Sequence, residues 1–195
     1  DNDLDLVVIN HSLKQYMTGL LDRPGIRLQT KPEFSTHLYR NDNIWYTNVT
    51  DSAGITSNVL SFGLGVAVSD LNNDGWPDLY ISNDFNEADY CFINQKNGTF
   101  KEMSREMFSY TSLFSMGNDA ADINNDGCAD IITLDMLPEG NYLQKMHNGS
   151  ENFDKFQLLF NNGFFRQYSR NMLQLNRGDG TFDEVFRFKG FDLKS

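Results

Sequence analysis

The residues best suited to chemistry lie in two short acidic stretches. Asp70, Asn72, Asp74 and Asp78 stand at positions 1, 3, 5 and 9 of Asp70-Leu71-Asn72-Asn73-Asp74-Gly75-Trp76-Pro77-Asp78. Asp122, Asn124, Asp126 and Asp130 hold the same positions of Asp122-Ile123-Asn124-Asn125-Asp126-Gly127-Cys128-Ala129-Asp130, 52 positions later. Alternating short oxygen-bearing side chains on a tight loop suit a hard cation, which takes six to eight oxygens at about 2.3–2.6 Å. Glycine at position 6 permits the sharp turn around the ion. Position 7, Trp76 or Cys128, would donate its backbone carbonyl, so its side chain is free to differ. The expected ion is Ca2+, since magnesium demands a stricter octahedron and keeps its waters. Its expected role is structural, because the chelate consumes the carboxylates.

The spacing excludes an EF-hand, which needs a bidentate Glu at position 12 and flanking helices. Position 12 is Ile81 or Thr133, and the residues after each loop, Leu79–Ser82 and Ile131–Leu134, read as strands. The opening residues fit the tail of a third loop. With Asp5 at position 9, Asp1 falls at position 5 and Asp3 at position 7, and the start of that loop would precede residue 1. The chain is therefore expected to be a fragment of something longer.

The elements that must position these loops repeat with them. Phe62-Gly63-Leu64-Gly65-Val66-Ala67-Val68-Ser69 leads into the first complete loop, and Phe114–Ala121 into the second at the same offset. Small residues recurring in a strand mark close backbone approach. Cys91–Asn94 and Thr99–Met103 flank Asn97-Gly98, a hairpin signal, and Met172–Asn176 and Thr181–Val185 flank Gly178-Asp179-Gly180 likewise. His37–Arg40 and Trp45–Val49 read as two further strands. The unit is strand, cation loop, strand, connection, strand, hairpin, strand. Four antiparallel strands repeated at this interval mark a β-propeller blade.

The expected fold is thus all-β: about three four-stranded blades, the first truncated, from a larger propeller with a short helical insertion. Residues 1–58 would form the truncated blade with an insertion at 11–36, 59–110 the second and 111–187 the third with an insertion at 139–170. Residues 188–195 would begin the next segment. The remaining blades would lie on a longer chain or a partner subunit. Both insertions fall between second and third strands, on the face opposite the cation loops. A short helix near Ser12–Leu21 and a turn at Asp22–Gly25 are expected in the first insertion. In the second, Ser150 would cap a helix over Glu151–Phe160 that docks through Phe153 and Phe156 and stops at Asn162-Gly163.

Composition narrows the function. Asp and Glu outnumber Lys and Arg by 27 to 16, giving a formal net charge of −11. No basic stripe is available for phosphates, which excludes a nucleic-acid partner. No run of 18 apolar residues exists, so no transmembrane segment is expected. The two cysteines, Cys91 and Cys128, are too few for a disulfide framework and are not expected to pair. Short exposed loops suit the calcium-rich extracellular space, where modular sites bind at about 10⁻⁴–10⁻³ M.

Phe62-Gly63-Leu64-Gly65-Val66-Ala67 followed by the D-x-N-x-D-G-x-x-D loop resembles the FG-GAP (VCBS-type) repeat of integrin α-subunit propellers. Asn97-Gly98-Thr99-Phe100 and Gly178-Asp179-Gly180-Thr181-Phe182 are more similar to the bacterial and cartilage-acidic-protein branch. Ser115-Met116-Gly117 and Asp135-Met136-Leu137-Pro138 resemble long surface proteins carrying an ASPIC/UnbV-like region. The resemblance implies a calcium-binding propeller used for adhesion, glycan handling or assembly. Two departures stand out: Ser115 replaces the second residue of FG-GAP, and Ile44-Trp45-Tyr46 replaces Gly-Thr-Phe, which implies a looser first hairpin.

The function expected is a non-enzymatic, extracellular or cell-surface module, a bacterial outer-membrane surface being one such setting, that recognises a protein or glycan through its insertion-bearing face. A calcium-dependent polysaccharide-degrading enzyme and an architectural subunit of a surface complex remain alternatives. No zinc spacing links His11, His37 and His147, and no nucleophile motif occurs. Arg177-Gly178-Asp179 lies inside a turn the repeat itself demands. Asn48-Val49-Thr50, Asn97-Gly98-Thr99 and Asn148-Gly149-Ser150 fit the N-glycosylation pattern, and Asp51-Ser52-Ala53 resembles an O-glycosylation site.

Overall fold

The computed structural model describes residues 3–12, 25–136, 142 and 153–185. Asp1, the helix expected near Ser12–Leu21 and the Ser150 cap fall largely or wholly outside these residues. The first sheet has three antiparallel strands, β1 (Leu6–Val8), β2 (His37–Asn41) and β3 (Tyr46–Asn48). The second is a four-stranded meander of β4 (Gly63–Ser69), β5 (Asp78–Asn83), β6 (Tyr90–Asn94) and β7 (Phe100–Glu102). A short helix α1 (Ser104–Met107) and β8 (Thr111–Ser112) lead to the third sheet. That sheet is formed by β9 (Ser115–Ala121), β10 (Asp130–Asp135), β12 (Met172–Asn176) and β13 (Phe182–Glu184). Between β10 and β12 lie helix α2 (Phe153–Asn161) and β11 (Gln167–Tyr168), which pairs with β8 in parallel. These are the four-stranded antiparallel blades the repeat calls for, with β1 in the place of a second strand.

Burial explains why β5 shows no polar face. Alternate residues of a strand point to opposite sides, and a blade has a neighbour on each side. Leu79 and Ile81 with Tyr90 and Phe92 pack towards the first blade, against Leu38, Ala53 and Ile55. Tyr80 with Cys91 and Ile93 packs the other way, against Ile131 and Phe182 of the third blade and Met107 and Phe108 of the connection. Every residue of β5 is consequently buried.

The inner strands β4 and β9 lie side by side, which accounts for their small residues. A Cβ added at Gly65 would stand 3.1 Å from the Gly117 Cα and 3.2 Å from the Asn118 nitrogen. The Asn118 side-chain amide crosses the same seam to the Ser82 hydroxyl at 2.7 Å.

The first hairpin is tighter than expected, not looser. Asn41 pairs directly with Tyr46, whereas Asn94 pairs with Phe100 and Asn176 with Phe182. The Asp42 amide closes the turn on the Trp45 carbonyl at 2.9 Å. With one residue fewer in the turn, Ile44, Trp45 and Tyr46 project into solvent. Helix α2 ends as the sequence indicates. Gly163 is left-handed at φ 82°, the Phe164 amide donates to the Leu159 carbonyl and the Gly163 amide to that of Phe160, a Schellman end. The docking expected of Phe156 is taken by Leu159, which packs on Ile26, Val59, Leu60 and Phe164, while Phe156 and Phe160 stack on each other outside that cluster; the Phe153 side chain lies outside the described residues.

Gly65→Ala should destabilise the 195-residue chain by about 1–3 kcal/mol in urea unfolding, because the backbone of β9 must move aside. Gly117→Ala, whose Cβ would meet nothing within 4 Å, should change stability by less than about 0.5 kcal/mol. Equal losses at both positions would show that close strand approach is not what excludes a side chain.

Candidate metal centre and the opposite face

The loops joining β4 to β5 and β9 to β10 fold alike, bond for bond. In the first, the Asp74 amide donates to Asp70 Oδ1 (3.0 Å) and to Asn72 Oδ1 (3.1 Å), and the Gly75 amide to Asp70 Oδ2 (2.7 Å). The Trp76 amide donates to Asp74 Oδ1 at 3.0 Å. In the second, the Asp126 amide reaches Asp122 Oδ1 and Asn124 Oδ1, the Gly127 amide reaches Asp122 Oδ2, and the Cys128 amide reaches Asp126 Oδ1. Two left-handed residues make each curl: Asn73 (φ 57°) and Gly75 (φ 86°), Asn125 (φ 61°) and Gly127 (φ 88°). Asn tolerates this conformation through its short polar side chain, and Gly has no Cβ to clash.

Position 9 behaves differently from the rest. Asp78 and Asp130 are fully buried. Asp78 Oδ2 accepts the Leu71 amide and Oδ1 the Asn94 amide, both at 2.8 Å. Asp130 accepts the Ile123 amide at 3.1 Å and the Asn176 amide at 2.8 Å. Each carboxylate therefore ties the start of its loop to the end of the third strand. Burial raises the Asp78 carboxyl above its ordinary value, opposed by the two amides. In the first blade, Asp5 Oδ1 accepts the Asn41 amide at 2.9 Å, so Asp5 occupies the position-9 place.

The acidic motif alone does not single out the partner asparagines. Asn41, Asn94 and Asn176 each accept, through Oδ1, the amide two residues on, which opens the hairpin turn. The Asn94 side-chain amide donates to the Pro77 carbonyl; that of Asn176 donates to Ala129 and, across the blade boundary, to Leu71 at 2.8 Å. The Asn73 side chain also crosses that boundary, to Cys128 Sγ at 3.0 Å. The signal was an asparagine four residues before a glycine in both complete blades, Asn94 with Gly98 and Asn176 with Gly180.

The donor set fits a hard cation in kind: oxygens of positions 1 and 3 converge on one amide, and position 5 lies beside them. Among the described residues, no group of three or more His, Cys, Asp or Glu side chains is already gathered as a metal cage. The loop oxygens are instead spent locally. Asn72 Nδ2 donates to Asp74 Oδ2 at 2.9 Å, with Lys96 Nζ 3.3 Å from the same oxygen. Burial pushes the Asp74 carboxyl up, but Asn72, the Trp76 amide and Lys96 outweigh it and hold it below its ordinary value. Trp76 is half-exposed, and Asp3 Oδ1 is buried without a hydrogen-bond partner among the described residues.

The opposite face is held by Arg27. Its guanidinium grips the buried Glu87 carboxylate with two bonds (3.0 and 2.7 Å), donates to the Gly163 carbonyl at 2.7 Å and lies over the Phe164 ring. Arg105 donates to that same carbonyl at 2.6 Å. The first insertion, the short connection of the second blade and the end of α2 thus meet at one arginine. Beside them Phe156, Phe160 and Tyr168 form a row of near-parallel rings, with Arg166 over Phe160. Phe160 and Tyr168 are exposed.

At the seam between the second and third blades, Asp89 is fully buried. It accepts the Asn83 amide (2.8 Å), the Tyr80 hydroxyl (2.7 Å) and the Ser115 hydroxyl (2.9 Å). Burial pushes its carboxyl up to about 7 against the pull of these three donors.

Comparison with known proteins agrees with this geometry. Residues 70–133 match the family described as FG-GAP-like repeat. Mouse (Mus musculus) integrin alpha-3 is 35% identical over 81 residues, and chicken (Gallus gallus) integrin alpha-6 is 38% identical over 82; each alignment covers 36% of this chain. The chain spans about 8% of the length of these relatives. Over residues 70–133 it is similar to the FG-GAP-like repeat, and over about a third of its length to integrin alpha chains.

The raised Asp89 value has a definite sign. The folded chain keeps a proton that the unfolded chain releases between about pH 4 and 7, so Asp89 favours folding in acid and loses that contribution as pH rises through 7. Asp89→Asn should therefore gain stability relative to the native chain between pH 5 and pH 8, by roughly 2–4 kcal/mol. Urea midpoints at the two pH values measure it. Parallel curves would mean that Asp89 ionises normally in the fold.

Proposed function

We propose that the chain is part of an extracellular or cell-surface β-propeller that binds calcium in its two complete loops and recognises a protein or glycan through its insertion-bearing face. The observation that carries this reading is the matching fold of the loops 70–78 and 122–130, with hard oxygens converging in both. Asp70, Asn72, Asp74 and Asp78, with the Trp76 carbonyl, would hold one ion. Asp122, Asn124, Asp126 and Asp130, with the Cys128 carbonyl, would hold the other. Asp1, Asp3 and Asp5 would belong to a third site. Calcium would supply charge neutralisation and a rigid link between first and second strands. The divisions near residues 58 and 110 would separate successive blades.

Support for recognition on the opposite face comes from its composition. The row Phe156, Phe160 and Tyr168 with Arg166 offers flat apolar area and a positive charge, on a surface clamped by Arg27 rather than left to move. The integrin relatives favour a binding module over an enzyme. No helix among the described residues is long and apolar enough to cross a membrane.

The experiment has two arms. Melted in calcium at about 100 times its Kd and again in chelator, the chain with two filled loops should differ by roughly 10–20 °C; an unmoved melting temperature would remove calcium from the account. In calcium, the chain and its Phe160→Ala/Arg166→Ala variant are applied to arrays of glycans and extracellular proteins. Signals lost in the variant locate recognition on this face. Signals retained by it but lost in Trp45→Ala would place recognition on the loop face instead.

A further inference from the structure

The two loops differ at one point that their shared motif conceals. In the second blade the hairpin residue two after Asn94 is Lys96, left-handed at φ 63°, and its ammonium lies 3.3 Å from Asp74 Oδ2 at position 5. The equivalent residue of the third blade, two after Asn176, is Gly178, left-handed at φ 72°. It has no side chain to reach Asp126. Among the described residues, Asp126 has no lysine or arginine within ion-pair distance.

We infer that Lys96 is a tethered counter-ion for the loop 70–78, competing with a divalent cation for Asp74 and making this loop the weaker and less cation-dependent of the two. The inference rests on the calcium reading of the loops and adds their inequality. An ammonium occupies the oxygen that an incoming cation needs, so binding must first displace it. Once displaced, the positive charge still stands on a tether close to the ion and repels it. Without calcium the same ammonium offsets the charge of a loop that bears Asp70 and Asp74 together. The loop 122–130 receives neither effect. It should fill first as calcium rises and distort more when calcium is stripped. Lysine at a left-handed position, where glycine sits in the other blade, is tolerated at a backbone cost of about 1–2 kcal/mol.

The test uses the whole 195-residue chain. Trp45→Phe leaves Trp76, at position 7 of the first loop, as the single tryptophan, so its fluorescence reports calcium in that loop, and calorimetry reports both loops. Lys96→Met removes the charge and keeps a side chain at the strained position; Lys96→Gly removes both. Both variants should bind calcium about 3- to 10-fold more tightly at the first loop, as expected for a unit charge about 6 Å from a divalent ion in watery surroundings. The gain should shrink with added salt, and the second loop should keep its affinity.

Stability supplies an independent readout. In chelator Lys96→Met should melt about 1–2 °C lower than the native chain, the size of one exposed ion pair in a domain of this length. In saturating calcium the sign should reverse. Calcium bound at both loops with unchanged affinity in Lys96→Met would overturn the inference and leave the calcium reading standing. No calcium bound at either loop would overturn both.

Discussion

Each of the two complete blades hangs on a buried carboxylate whose two oxygens both serve the backbone. Asp78 joins the amides of Leu71 and Asn94, and Asp130 those of Ile123 and Asn176. An unpartnered buried amide costs about 1–3 kcal/mol, and each of these carboxylates satisfies two. It also fixes the distance between the loop and the third strand, which the β-ladder alone does not set at its frayed end. In the proposed calcium-bound state the other loop residues would take up the cation without the blade losing its frame. The motif thus contains two kinds of aspartate: positions 1 and 5, whose backbone bonds stay within the loop, and position 9, which also reaches the third strand.

This division explains how a short chain of alternating acids persists in a protein of net charge −11. The loops neutralise themselves in part by curling their own amides inward at Asn73, Gly75, Asn125 and Gly127. Neighbouring loops are further linked through Asn73 to Cys128 and Asn176 to Leu71. On the far side Arg27 does the corresponding work for the connections, with Glu87 and the end of α2 as its partners. One end of the blades is therefore organised by carboxylates and the other by a guanidinium. The candidate cation sites and the candidate recognition surface lie on opposite ends of the same rigid strands.

Much of this was legible because it repeats. The spacing of Asp70–Asp78, its copy at Asp122–Asp130, the hairpins at Gly98 and Gly180 and the place of Asp5 all follow from short-range rules. The stop of α2 at Gly163 does as well. What was not legible depended on groups far apart in the chain. Arg27 meets Glu87 and Gly163 across long stretches of sequence, and nothing local marks it. Phe156 is expected from sequence to dock α2, yet Leu159 takes that place, because the chain after Gly163 turns Phe164 back onto Leu159. The first hairpin reads as irregular in sequence, but it closes by omitting a residue rather than by loosening.

The central claim is that position 9 builds the blade and the cation completes the loop. Amide hydrogen exchange resolved at single residues tests it most directly, with the chain first in chelator and then in calcium. The amides of Leu71, Asn94, Ile123 and Asn176 should exchange slowly in both conditions, while those of Asp74, Gly75, Asp126 and Gly127 should respond to calcium. If the first four exchange as fast as the loop amides in chelator, Asp78 and Asp130 act only as ligands and the account is wrong.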